Sequence, residues 1–61
     1  MNSEPLTKAS HDADFLVSNL REAHSEACRS NPMLAILLLD LIGQAQKITQ
    51  RLAEIETALE S

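Results

Sequence analysis

The chain has 61 residues and a formal net charge of −4, from nine acidic and five basic side chains. This length allows one domain, residues 1–61. A single cysteine excludes an internal disulfide, and 44% hydrophobic content is too high for a disordered acidic chain. The longest apolar run, Met33–Leu39, is too short to cross a bilayer, and the first five residues do not resemble a signal peptide. We therefore expect a soluble cytoplasmic domain without membrane contact.

A first helix is predicted over about residues 6–28. Apolar or small side chains recur there at steps of three and four, which is the spacing of one helix face. That predicted face consists of Leu6, Ala9, Ala13, Leu16, Leu20, Ala23 and Ala27.

A second helix is predicted over about residues 32–59, after a loop at 29–31. Asn31 is a favoured N-cap residue, and Pro32 suits the first helical position. The same alternating spacing runs through almost the whole segment, as in a heptad repeat. This second predicted face consists of Leu34, Leu38, Leu41, Ala45, Ile48, Leu52, Ile55 and Leu59.

The short loop predicts an all-α, antiparallel two-helix hairpin. Pairing residues whose numbers sum to 61 sets a small side chain against a large one in most layers, with Leu20 opposite Leu41 in the middle.

Several apolar side chains lie off both predicted faces, and residues 33–42 are apolar nearly all round. A monomeric hairpin would expose them, which predicts a homodimeric four-helix bundle or a protein partner. The predicted interface consists of Phe15, Val17, Met33, Ile36, Leu37, Leu39 and Ile42. Gly43, in the same region, is either a tolerated surface residue, a point of close helix approach or the site of a slight kink.

The candidate chemistry is sparse. His24 and Cys28 share a helix face, but they supply only half of the ligands that a zinc site needs. The carboxylate pairs lack the concave pocket that catalytic acids require. Phosphate-binding loops and hydrolase or metalloprotease motifs are absent from the sequence. We expect no enzyme activity, no metal and no cofactor.

Acidic residues gather near the chain termini, and Asp12, Asp14, Glu54 and Glu56 are a candidate docking surface for a basic partner. The predicted function is a small acidic protein-binding module, an antagonist or adaptor of a bacterial regulator such as phages and mobile elements encode. That regulator could present a basic DNA-binding surface. A secretion-type co-chaperone that covers a client helix is an alternative.

A third alternative rests on architecture. With Ala and Leu alternating in the core layers over residues 6–59, the predicted dimer resembles Rop-type plasmid replication regulators, which are four-helix homodimers that bind RNA. No sequence motif of that family is matched. The basic residues are scattered, and Phe15 is the only aromatic side chain, so nucleic-acid binding is not the expected function.

Overall fold

The computed structural model describes residues 2–60 as two packed helices, α1 (Glu4–Ser30) and α2 (Pro32–Glu60). No strand occurs in this range. The predicted all-helical hairpin is confirmed. Both helices extend further than the predicted bounds, and the predicted loop at 29–31 shrinks to the single residue Asn31.

Asn31 ends one helix and begins the next. Its backbone N–H donates to the carbonyl of Ala27 at 2.6 Å, which closes the last turn of α1. Its side-chain Oδ1 accepts from the N–H of Leu34 at 3.3 Å, and its carbonyl accepts from the N–H of Ala35 at 3.1 Å. These bonds, with Pro32 as the first residue of α2, give the N-cap arrangement that the sequence predicts.

The buried and half-buried residues of residues 2–60 form one seam between the helices, again with steps of three and four. The α1 side of the seam consists of Leu6, Ser10, Ala13, Val17, Leu20, His24 and Ala27. The α2 side consists of Ala35, Leu38, Ile42, Ala45, Thr49, Leu52 and Glu56. The buried members are four alanines and Ile42, so small side chains allow the two helices to pack closely.

The seam differs from the predicted one by a rotation of each helix. Residues equally far from Asn31 lie at the same level of the hairpin, so seam positions pair at a sum of 62 and Leu20 lies level with Ile42. The predicted sum of 61, with Leu41 opposite Leu20, is wrong. Leu41 is 47% exposed and Ile42 is 8% exposed. The prediction placed the apolar stripe that contains Leu41 directly against the other helix. In the structure this stripe is turned, so that it faces partly the other helix and partly solvent.

The hairpin is elongated and thin. Its Cα extents are 46 × 15 × 10 Å, and its radius of gyration is 14.3 Å. A compact chain of this length has a radius of about 10.5 Å. Two helices in one layer can bury only one stripe each, so much apolar surface stays exposed.

Candidate functional site

The main surface feature is a row of exposed apolar side chains along one face of the hairpin, which we call the long apolar face. It is made of the predicted interior residues that the rotation brings to the surface. Its members are Ala9, Leu16, Ala23, Leu34, Leu41, Ile48 and Ile55, with Leu59 at the terminal end. The large members are each about half exposed.

A shallow groove runs along the middle of the long apolar face. Its lining, around a space of about 210 Å³, consists of Leu16 and Leu20 of α1 and of Leu41, Gln44, Ala45 and Ile48 of α2. Both helices therefore contribute to the same apolar depression. Such a depression accepts the apolar side of another helix.

A second apolar surface, the loop-end patch, involves different residues of the same two helices. Pro32, Ile36 and Leu39 of α2 lie beside His24 and Cys28 of α1, around a space of about 290 Å³. The Cys28 Sγ lies 3.7 Å from Nε2 of His24, so these two side chains contact each other as their spacing predicts. This patch covers only the end of the hairpin near Asn31.

The predicted interface residues do not form one surface. Ile42 and Val17 lie in the seam between the helices, which corrects their predicted place on an outer surface. Phe15 is 70% exposed on the outer side of α1. Measured along the helix axis, it lies about 16 Å from the level of Ile36, since each residue adds about 1.5 Å.

The remaining members of that predicted set are exposed. Met33, Ile36 and Leu39 lie near the loop, and Leu37 is four residues from Leu41, which places it beside the long apolar face. Together these residues keep the beginning of α2 apolar on every side that the seam leaves open.

The predicted acidic docking residues also point in different directions. Asp12 and Asp14 are two positions apart, which places them about 200° apart around α1. Glu54 is exposed, but Glu56 lies in the seam, and its Oε1 atom is buried without a hydrogen-bond partner. Of the four predicted docking residues, Asp12, Asp14 and Glu54 are therefore the ones exposed in the isolated chain.

The structure holds no cluster of three or more potential metal-ligating side chains within residues 2–60. Within the same range, neither helix has a stretch that is apolar and long enough to span a bilayer.

Comparison with known proteins adds no relative. No family model, no curated protein and no solved structure matches the chain.

Proposed function

We propose that this chain is a non-catalytic protein-binding module that works as a homodimer. The observation that carries the proposal is the long apolar face, which extends along both helices with its large side chains half exposed. Soluble monomers rarely expose a continuous apolar patch of this kind, and such patches mark interaction sites.

The exposed area supports a second copy as the first occupant of that face. One chain exposes 4818 Å², whereas a compact monomer of 6.7 kDa exposes about 3,900 Å². Two separate copies expose twice 4818 Å², and a compact dimer exposes about 6,500 Å². Pairing would bury about 3,100 Å² in total, within the range of obligate dimers. The product is a four-helix bundle.

The dimer would present an acidic outer surface to other proteins. The net charge is −4 per chain, and Asp14 and Glu54 are exposed outside the long apolar face and its borders. Complementary charge speeds encounter with a basic partner and sets its orientation. We propose that the module occupies the basic surface of a cytoplasmic bacterial regulator, as an antagonist or adaptor.

A client helix is the second candidate occupant of the long apolar face, and the groove around Leu41 favours it. In that case the chain would act as a co-chaperone, covering an amphipathic helix of its client through the same side chains. The client and a second copy would compete for the same face. This role therefore requires that the chain associate with itself only weakly.

The assembly is tested by light scattering on three proteins. We expect the wild type to have twice the 6.7 kDa mass of one chain, and Leu41→Lys to have the mass of a monomer because a charged side chain would enter the apolar face. Phe15→Lys is the matched control, since Phe15 projects from the outer side of α1, and it should remain dimeric. A monomeric wild type at micromolar concentration would contradict the homodimer.

The partner is tested with the same chain as bait in native lysate. Loss of a captured protein from Glu54→Lys bait, with or without loss from the monomeric Leu41→Lys bait, supports the regulator-binding proposal. Loss from Leu41→Lys bait alone supports the co-chaperone. Recovery of RNA in place of protein would contradict both and support the Rop-like alternative.

A further inference from the structure

The side chains that border the long apolar face differ between the two helices. Along α1 the border residues are Pro5, Asp12, Asn19 and Glu26. Along α2 they are Leu37, Gln44, Arg51 and Ala58. Each row repeats every seven residues and is exposed. In a bundle made by stacking two such faces, these rows contact the opposite layer together with the apolar residues.

The rows are in register across the hairpin. Asp12 is 19 residues before Asn31 and Arg51 is 20 residues after it, so their levels differ by about 1.5 Å. Asn19 and Gln44 are matched in the same way. Within one chain these partners lie on opposite borders of the face, so they can meet only across two chains.

Two symmetric ways of stacking the faces bring different borders together. When both Asn31 links lie at the same end, α1 of each copy lies over α2 of the other. Asp12 then lies beside Arg51 of the second copy, and this opposite-charge pair occurs twice. Asn19 lies beside Gln44 of the second copy, which places two amides together.

When the Asn31 links lie at opposite ends, each helix lies over its own symmetry copy. Asp12 then lies near Glu26 of the second copy, whose carboxylate already pairs with Arg29 at 3.2 Å in its own chain. Arg51 lies near the apolar Leu37. This topology therefore lacks both Asp12–Arg51 pairs, and Arg51 gains no opposite charge in their place.

We infer from these borders that a second copy of this chain covers the long apolar face with both Asn31 links at the same end of the bundle. This inference rests on the proposed homodimer and adds its topology. The side chains that select the topology are Asp12 and Arg51, while the apolar residues of the face supply the affinity.

Single cysteines at Asn19 and Gln44 distinguish the two topologies and leave both charges in place. Both residues lie near the middle of their helices, so the opposite-end topology brings each of them close to its own copy. A disulfide requires Cα atoms within about 7 Å. The proteins are Asn19→Cys and Gln44→Cys, each with Cys28→Ser so that no other thiol is present.

We expect neither variant to cross-link when it is oxidised alone, and an equimolar mixture to give a disulfide dimer that contains one chain of each. Cross-linking of Asn19→Cys to itself would overturn the proposed topology, as would a mixture that sediments as dimers without forming the mixed disulfide. Sedimentation of the unmodified chain as a monomer would instead show that the homodimer itself is wrong.

Discussion

Shortening Leu41 to alanine should weaken the dimer, because it removes apolar surface that a second copy would bury. Leu41 is 47% exposed in the isolated chain, and this exposed part is what a second copy would bury. Full burial of a leucine side chain contributes about 1.5–3 kcal/mol, so the remaining half is worth roughly 0.7–1.4 kcal/mol per copy. Because each dimer contains the residue twice, the loss is about 1.4–2.8 kcal/mol, or roughly 10- to 100-fold in Kd.

Sedimentation equilibrium over a dilution series measures this Kd directly. Met33→Ala is the matched control, because Met33 is 71% exposed and projects from the outer side of α2. Its Kd should stay within about threefold of the wild type, as expected for an exposed substitution. A Leu41→Ala protein that dimerises as tightly as the control would refute the assignment of the long apolar face as the dimer interface.

Four further outcomes follow from the structure. Ile42→Ala should lower the free energy of unfolding by about 2–5 kcal/mol in denaturant titrations, because Ile42 is 8% exposed in the seam. An unchanged unfolding midpoint would show that Ile42 does not lie in the seam. Gly43→Ala should increase the free energy of unfolding by about 1 kcal/mol and so raise the melting temperature, since an added Cβ meets nothing within 4 Å. A melting temperature below that of the wild type would show that another helix packs against Gly43. Asp12→Arg should raise the dimer Kd several-fold and adding Arg51→Asp should restore it, whereas additive losses would exclude their pairing. Glu54→Lys should slow association with a basic partner in low salt and leave the fold intact, and an unchanged rate would remove Glu54 from the docking surface.

Much of the hairpin could be predicted from local signals in the sequence. The Asn31–Pro32 step carries both an N-cap and a favoured first helical residue, and the structure uses both. Heptad spacing also predicts the second helix over nearly its whole length. These signals depend on neighbouring residues alone, so they are visible without knowledge of what the chain packs against.

The rotation of the helices could not be predicted in the same way. Apolar spacing favours a face that contains Leu41 and Ile48, while the seam instead includes polar residues such as Thr49 and Glu56. In the proposed dimer this apolar stripe contacts two neighbours, the other helix and the second copy, and so it points between them. Its centre therefore differs from the line along which two helices meet, and sequence spacing alone does not separate the two directions.

The four predicted acidic docking residues do not lie on one surface, for a related reason. Asp12 and Asp14 are close in the sequence, but side chains two positions apart on a helix point about 200° away from each other. Glu54 and Glu56 separate in the same way, and the latter reaches the seam. A surplus of acidic residues in one half of the hairpin therefore does not place them on one surface.

Thiol labelling measures directly whether the long apolar face is covered in solution. Ile48 is 54% exposed in the isolated hairpin, so an Ile48→Cys thiol in a Cys28→Ser chain would react quickly with a maleimide if nothing covers it. We expect this thiol to react slowly at high protein concentration and quickly on dilution, while Gln50→Cys on an outer side of α2 reacts quickly throughout. Equal, rapid labelling of both thiols at every concentration would show that no second copy occupies this face.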